Sequence, residues 1–211
     1  MIGLRLLMPF SRPENAARIA SMLPARDSFV WCPICHDTNH ILALENLDTE
    51  VRINIKVAVG PPPGMDACYW KLNRWLSLHR GVLGPDDYLC FGCDDDGWPE
   101  GYWGWLHERL EGQPDVLVVS MDRGDAEGFK GRHPTSKLHA SPRSMRPGRV
   151  GLEQLVVRAD LPLRFEDHPH ADGRLARTLA GSDLRIEYAP TDAPAVRFNR
   201  MEPGRYRDAM V

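Results

Sequence analysis

Apolar runs alternate with amphipathic segments along most of this chain. Short, mostly apolar runs bounded by turn residues indicate buried strands, and they predict strands at 4–8, 29–31, 53–59, 89–93, 116–119, 155–157 and 184–188. Apolar stripes at helical spacing predict helices between Ser11 and Pro24, from Asp66 up to Gly81, at 99–110 and at 172–179. Strand, helix and strand therefore alternate, which predicts an α/β fold with a mostly parallel sheet. Such sheets bind ligands at the carboxyl ends of their strands.

A local signal marks the start of the first helix. Ser11-Arg12-Pro13-Glu14 has the spacing of a capping box, with proline in the first helical turn. We therefore expect Ser11 to cap this helix.

Three consecutive carboxylates, Asp94, Asp95 and Asp96, end the fourth predicted strand. Because they repel one another at a buried strand end, they need a compensating cation, and hard ions such as Mg²⁺ or Mn²⁺ prefer such oxygen ligands. A metal held by one or two carboxylates keeps open positions for phosphate oxygens, which is the chemistry of a nucleoside diphosphate site. A solvated acidic turn with Asp96-Gly97 at its tip is the alternative.

Composition limits the class of protein. The 211 residues predict a single domain over 1–211. The formal charge of −3 excludes the strong basic excess of a general nucleic-acid binder. No apolar run approaches the length needed to cross a bilayer, and an odd count of five cysteines does not suggest a secreted disulfide framework. We therefore expect a cytoplasmic protein without a membrane span.

Two stretches lack periodicity. Glycine and proline interrupt 121–150, and within it the stretch 123–149 is rich in arginine and lysine. We expect a long mobile basic loop there that covers an anionic ligand, with a plain solvated insertion as the alternative. The stretch 189–211 is a C-terminal tail rich in proline and arginine.

Several motifs occur in an order typical of one enzyme family. The opening strand leads into Pro9-Phe10-Ser11-Arg12-Pro13, and a strand with Trp31 leads to His36-Asp37. The remaining matching segments are 94–96, 151–158, 170–173 and 198–205. On these motifs, nearly the whole chain resembles the small GT-A-fold glycosyltransferases of the family 2 type.

This resemblance implies a three-layer GT-A sandwich with a mostly parallel central sheet. It implies transfer of a hexosyl or pentosyl group from a nucleoside-diphosphate sugar, a UDP- or GDP-sugar, to the hydroxyl of an unknown acceptor. Mn²⁺ or Mg²⁺ would bridge the donor diphosphate and the acidic motif, with Asp94 and Asp96 as the metal ligands. The nucleotide-binding residues that the resemblance implies are Pro9, Ser11, Arg12, Asp37, Asp94 and Asp95.

An inverting member of the family needs a carboxylate base for the acceptor hydroxyl. Asp172 is the first candidate and Glu166 the second, although Asp172 also suits a plain helix N-cap. The commonest inverting pattern places a Glu-Asp pair at the helix start, which this chain lacks, so a retaining mechanism stays open.

Aromatic side chains follow the acidic motif closely. No more than two of Trp98, Tyr102, Trp103 and Trp105 can share one core-facing helical stripe, so we expect at least one in the cleft. The expected contacts to acceptor or sugar are Trp98, Trp103 and Gln154.

Two alternatives compete with glycosyl transfer. Cys32-Pro33-Ile34-Cys35 and Cys90-Phe91-Gly92-Cys93 hold the ligands of a zinc-stabilised binding module. Their separation is much wider than a zinc ribbon requires and both pairs lie in predicted strands, so we expect buried, inert thiols. A nucleotidyltransferase of similar fold usually carries a glycine-rich loop after the first strand, and Met8-Pro9-Phe10-Ser11-Arg12 has no glycine.

Overall fold

The computed structural model describes residues 2–58, 67–79, 81–122, 137–168 and 170–197. These residues form the strands β1 (Gly3–Pro9), β2 (Phe29–Cys35), β3 (Lys56–Val57), β4 (Asp87–Phe91), β5 (Val116–Val118), β6 (Met121–Asp122), β7 (Lys137–Leu138), β8 (Leu155–Arg158), β9 (Ile186–Tyr188) and β10 (Val196–Arg197). They also form the helices α1 (Ala16–Met22), α2 (Thr38–Glu45), α3 (Ala67–His79), α4 (Tyr102–Leu110) and α5 (Ala171–Ala180). Within these ranges, no helix is long and apolar enough to cross a membrane.

A seven-stranded sheet in the order β3-β2-β1-β4-β8-β5-β9 forms the middle layer. Strand β8 is antiparallel to its neighbours β4 and β5, and the other strand pairs of this sheet are parallel. The predicted α/β fold with a mostly parallel sheet is therefore confirmed. Because β1 lies between β2 and β4, the loops that follow these three strands meet at one edge of the sheet.

Apolar side chains cover both faces of this sheet. Leu6 and Leu7 are neighbours in β1 and belong to different cores, because successive side chains of a strand point to opposite faces. Helices α1 and α4 pack on the first face through Ile19 and Leu106. Helix α3 packs on the second face through Leu72. Helix, sheet and helix thus form the expected three layers.

Two elements beside β2, the strand β3 and the helix α2, differ from the prediction. The apolar run 53–59 predicts a full strand, but β3 pairs with β2 over Lys56–Val57, and Ile53 adds a single bridge to Trp31. Strand β3 is the outermost strand of the sheet and is paired on one side only, so fewer of its residues form strand pairs than the apolar run predicts. Helix α2 was not predicted, because Leu44 is its single buried residue and leaves no apolar stripe at helical spacing.

A second sheet has the order β10-β6-β7. Strands β6 and β7 are antiparallel, so part of the segment predicted as a loop is strand. Residues 123–136 of the predicted mobile loop, and the tail beyond 197, lie outside the described residues. Strand β10 continues toward the acidic motif, where Gly97 and Arg197 exchange two backbone hydrogen bonds of 2.8 Å.

Candidate active site

The three aspartates follow β4 at the sheet edge where β1 and β2 also end. The Asp96 N–H donates to the Cys93 carbonyl over 3.1 Å and closes a turn, residues 93–96, which we call the acidic turn. Asp94, Asp95 and Asp96 are only 3%, 7% and 0% exposed. The alternative of a solvated turn is therefore wrong, and the three carboxyl groups need partners within the protein or a bound cation.

Asp94 ties the acidic turn to the loop after β1. Its Oδ2 accepts hydrogen bonds from the backbone N–H groups of Ser11 and Arg12, at 2.6 and 2.8 Å, and from the Ser11 hydroxyl at 3.0 Å. Its Oδ1 accepts from the Arg12 guanidinium at 2.5 Å. The Asn15 amide donates to the Asp94 backbone carbonyl at 2.8 Å. Both carboxylate oxygens thus have protein donors, and a metal-ligand role for Asp94 stays a prediction.

The predicted capping role of Ser11 is wrong. A 3₁₀ turn at Pro13–Asn15 precedes α1, and neither Arg12 nor Asn15 caps a helix with its side chain. The Ser11 hydroxyl instead donates to Asp94, because hydrogen bonds to a charged acceptor are stronger than those to neutral groups.

Arg12 joins a second carboxyl group of the acidic turn. Its Nη1 lies 3.1 Å from Asp95 Oδ2. Burial raises the pKa of Asp95, and the positive charge of Arg12 lowers it in part. The structure thus brings Ser11, Arg12, Asp94 and Asp95 together, and Pro9 is the last residue of β1 beside them.

Asp96 belongs to a separate group with Cys93 and Glu153, whose potential ligand atoms lie within 4.8 Å of one another. Asp96 Oδ2 accepts from the Cys93 N–H at 2.7 Å, and the Cys93 thiol donates to Glu153 Oε1 at 3.2 Å. Burial raises the pKa of Glu153, and the charges of Asp172 and Asp95 raise it further. This excess of negative charge in a buried place would be relieved by a cation.

The potential ligand atoms of Cys93, Asp96 and Glu153 suit a hard divalent ion. Burial, with the charges of Glu153 and Asp96, raises the pKa of Cys93 well above its ordinary value, so the thiol stays protonated and is a poor ligand. The carboxylates of Asp96 and Glu153 are the oxygen ligands that Mg²⁺ and Mn²⁺ prefer.

A buried lysine lies near enough to Asp94 to interact with its charge. Lys71 on α3 is 3% exposed, and its Nζ donates to the Phe10 carbonyl over a long 3.5 Å. Burial lowers the pKa of Lys71, whereas the nearby Asp94 carboxylate raises it in part. Among the described residues this ammonium has one long hydrogen bond, and a buried cation at the carboxyl end of β1 is suited to an anionic ligand.

Asp37 lies at the same edge, directly after β2. Its Oδ1 accepts from the Asn39 N–H at 2.7 Å and caps α2. The adjoining ring of His36 stacks edge-on against His40, which also contacts Phe10. Asp37 is therefore near the loop after β1, as the resemblance implied, and it has a helix-capping role as well.

The two candidate bases are in different environments. Asp172 lies in the first turn of α5, and its charge raises the pKa of Glu153, so it belongs to the same acidic surroundings. The residue before the helix is His170, so the plain N-cap alternative for Asp172 is wrong. Glu166 is exposed and forms an ion pair with Arg174, and this hydrogen bond lowers the pKa of Glu166.

The predicted sugar contacts are buried by packing. Trp98 and Trp103 are 5% and 6% exposed and lie in one core with Tyr102, and Trp105 packs against that core. Trp103 donates from Nε1 to the Met22 carbonyl at 2.9 Å. Gln154 is also fully buried, and it donates to the Val119 carbonyl at 2.9 Å. This burial argues against direct contact of these residues with a sugar.

The cysteine pairs do not converge on one point. Cys32 belongs to the core on one sheet face and Cys35 to the core on the other, because residues three apart in a strand point to opposite sides. Burial raises the pKa of Cys32 to about 12 and that of Cys35 to about 11. This geometry argues against a zinc ion shared by the two pairs.

Three residues of the site, Glu153, Lys71 and Asn15, have no local signal in the sequence. Glu153 stands in an apolar stretch before β8, Lys71 inside a helix stripe and Asn15 in a helix start. Each reaches the site through a contact of long sequence separation, so a residue-type pattern in one segment does not reveal it.

Comparison with known proteins places the fold. The chain matches no protein-family model and no curated protein sequence. It is similar to a crystal structure of S. aureus TarS 1-349, a glycosyltransferase, with a TM-score of 0.62 and 13% identity over 93% of this chain and 60% of that chain. A second TarS structure gives a TM-score of 0.64 and 15% identity over 93% of this chain and 36% of that chain.

The chain therefore has a fold of the GT-A, nucleotide-sugar transferase kind. It spans about three fifths of the shorter TarS chain and about a third of the longer one. At this level of identity, the likeness defines the architecture.

Proposed function

We propose that this protein is a metal-dependent glycosyltransferase that moves a sugar from a nucleoside-diphosphate sugar to an acceptor hydroxyl. The observation that carries the proposal is the buried acidic turn, which lies at the carboxyl end of β4 and is tied through Asp94 to the loop after β1. In parallel sheets this is the edge at which nucleotides bind. The GT-A-like fold supports the same class.

In this proposal the loop after β1 binds the nucleoside, with Pro9, Ser11 and Arg12 on one side and Asp37 on the other. A UDP- or GDP-sugar is the donor class. Lys71 and Arg12 are cations next to this loop, and they would hold the donor diphosphate by charge-assisted hydrogen bonds.

Mn²⁺ or Mg²⁺ would bind beside the diphosphate in this proposal. Asp96 is the first proposed ligand, and Glu153 and Asp95 supply further negative charge. The ion would neutralise charge that develops on the leaving diphosphate. Asp94 holds the loop that carries Arg12, so its contribution to donor binding is indirect unless it also reaches the metal.

Asp172 is the proposed base. In the transfer step the acceptor oxygen forms a bond to the anomeric carbon, the bond from that carbon to the diphosphate oxygen breaks, and the diphosphate leaves with the electron pair. Asp172 would take the acceptor's proton. Glu166 is less suited, because its ion pair with Arg174 lowers its pKa and with it the basicity of the carboxylate.

The test uses the full chain with UDP- and GDP-sugars, in Mn²⁺, Mg²⁺ or EDTA. A donor that binds only the folded state should raise the melting temperature, and more so with metal. Release of nucleoside diphosphate, either to water or to an added acceptor, measures turnover. Asp172→Asn should keep donor affinity and lower turnover by about a hundredfold or more. Glu166→Gln, a similar change at an exposed carboxylate on the same segment, is the matched control and should leave turnover near wild type.

Two outcomes would contradict the proposal. Formation of pyrophosphate from a nucleoside triphosphate and a sugar phosphate, without release of diphosphate from sugar nucleotides, would indicate a nucleotidyltransferase. Retained metal-dependent donor binding in Asp96→Asn would remove the proposed metal ligand.

A further inference from the structure

The outermost strand of the central sheet beyond β5 is β9, and it has a strand neighbour on one side only. It pairs in parallel with β5, with Val116 opposite Ile186 and Val118 opposite Tyr188. Within the described part of the chain, no strand lies along its other side. We call this open side of residues 184–188 the β9 edge. Strands β8 and β5 separate it from β4, which carries the acidic turn.

The pairing with β5 decides which backbone groups face the β9 edge. The Arg185 carbonyl accepts from the first residue of β5 over 3.3 Å, and the Ala189 N–H donates to the last residue of β5 over 2.8 Å. The backbone groups of a strand turn to alternate sides residue by residue. The N–H and carbonyl groups of Ile186 and Tyr188 therefore point away from β5. Such a row of groups is a template on which another strand can pair.

Apolar and charged side chains alternate along the β9 edge. Successive side chains of a strand point to opposite faces, so the two charged residues share one face of the sheet and the three apolar residues share the other. The apolar residues pack, partly buried, against the core on the second face; they are Leu184, Ile186 and Tyr188. Natural edge strands often avoid pairing through lysine or proline, and residues 184–188 contain neither. The edge is thus suited to a strand with a matching pattern.

The pattern of the β9 edge is complementary to a second copy of itself. In an antiparallel pair centred on Ile186, Arg185 of each copy faces Glu187 of the other, and Leu184 faces Tyr188. Opposite charges and aromatic–aliphatic pairs directly across two strands stabilise their pairing. The backbone fits the same register, because the residues that face each other as hydrogen-bonded pairs are those whose N–H and carbonyl groups point to the open side. A pair centred one residue later would instead place Glu187 against Glu187.

Glu187 has a carboxylate oxygen in place for such a contact. Its Oε1 accepts from Arg185 of the same chain at 2.8 Å, whereas its Oε2 lies 3.8 Å from Arg109. The longer distance is outside the range of a hydrogen bond. The side chains of Arg185 and Glu187 are 60% and 24% exposed, so a facing chain has access to both. The charges can therefore pair across two copies as well as within one.

We propose that two copies of this chain associate through their β9 edges, as an antiparallel strand pair centred on Ile186. The result is a two-fold symmetric dimer in which the central sheet continues from one copy into the other. A stable interface takes about 20–30 residues from each side, so a contact built around five residues gives a weak, concentration-dependent dimer. The β9 edge is separate from the proposed active site, and the dimer does not depend on the function proposed for that site.

The first test is the mass of the full chain in solution, measured by sedimentation equilibrium over a range of protein concentrations. We expect a monomer–dimer equilibrium with a dissociation constant between about 1 μM and 1 mM. A protein that is still monomeric at about 1 mM would overturn the proposal. Larger assemblies without a dimer would overturn it as well, because a two-fold contact closes after two copies.

Variants locate the contact. Ile186→Pro removes an N–H that points away from β5, so the monomer should stay folded while the dimer is lost. Arg185→Glu places like charges opposite each other twice and should raise the dissociation constant about tenfold or more, and adding Glu187→Arg should restore the dimer. The matched control is Arg52→Glu, the same change at an exposed residue before β3, on the opposite side of the sheet.

The control should leave the dissociation constant near wild type. Circular dichroism and the melting temperature of each variant separate loss of the dimer from loss of the fold. A dimer that survives both Ile186→Pro and Arg185→Glu unchanged would place the contact elsewhere and refute the proposal. A double charge swap that dimerises no better than Arg185→Glu alone would refute the register.

Discussion

Replacing Asp94 with alanine is the sharpest test of how the acidic turn is held. In the variant, the backbone N–H groups of Ser11 and Arg12 lose their carboxylate acceptor, and each hydrogen bond to a charged group contributes about 1.5–3 kcal/mol. The Arg12 side chain is 39% exposed, so its ion pair adds little after solvent screening. We therefore expect Asp94→Ala to lower the free energy of unfolding by about 3–5 kcal/mol.

Urea unfolding followed by tryptophan fluorescence measures this loss, with the m-value as a check that the unfolding transition is unchanged in kind. Asp94→Asn keeps one oxygen for the two N–H groups and should lose about 1–2 kcal/mol. The matched control is Asp95→Asn, next in the chain. Burial raises the pKa of Asp95, so removing its charge should be neutral or slightly stabilising at pH 7. A loss below about 1 kcal/mol in Asp94→Ala, or equal losses at the two positions, would refute the reasoning.

Three further changes test other parts of the structure. A Cβ on Gly173 would lie 2.3 Å from the Pro147 backbone, whereas a Cβ on Gly104 would meet nothing within 4 Å. In urea unfolding, Gly173→Ala should therefore lower the free energy of unfolding by about 1–3 kcal/mol. Gly104→Ala should raise it by about 0.5–1 kcal/mol. Folding raises the pKa of Glu153, so the stabilising effect of its protonated form is present at low pH and is lost as the pH rises through the folded-state pKa. Glu153→Gln should hence be more stable than wild type in EDTA at pH 8, by a margin that shrinks toward pH 5; a constant margin would contradict it. Elemental analysis of purified protein should find no stoichiometric zinc, and a chelator should leave the melting temperature unchanged, because Cys32 and Cys35 lie in opposite cores.

The sequence predicted the layers of this fold because their signal is local. A strand of the central sheet is buried on both faces, so residues 4–8 are apolar apart from Arg5, residues 116–119 are apolar throughout, and α5 has a clear apolar stripe. Helix α2 has little buried surface and left no such signal.

The candidate site was predicted in part. The carboxyl ends of β1, β2 and β4 follow from a parallel sheet, so the meeting of Arg12 with the acidic turn could be anticipated. The role of each individual side chain could not be predicted from the sequence. Ser11 fits both a helix cap and a carboxylate anchor, and only the approach of Asp94, far away in sequence, decides between them. The aromatic residues after the turn suggested a sugar platform, but packing among Trp98, Tyr102 and Trp103 buries them.

The paired backbone bonds between Gly97 and Arg197 have a consequence for biosynthesis. The acidic turn lies in the first half of the chain, but β10, which pairs with Gly97 next to it, follows about a hundred residues later. A nascent chain can therefore form β1, β2 and β4 while the turn still lacks its second anchor. A chain truncated so that it ends before Val196 should still assemble the seven-stranded sheet, but its acidic turn should be held less firmly. The order of the acidic turn, more than the packing of the core, would then depend on whether synthesis has reached the last described strand.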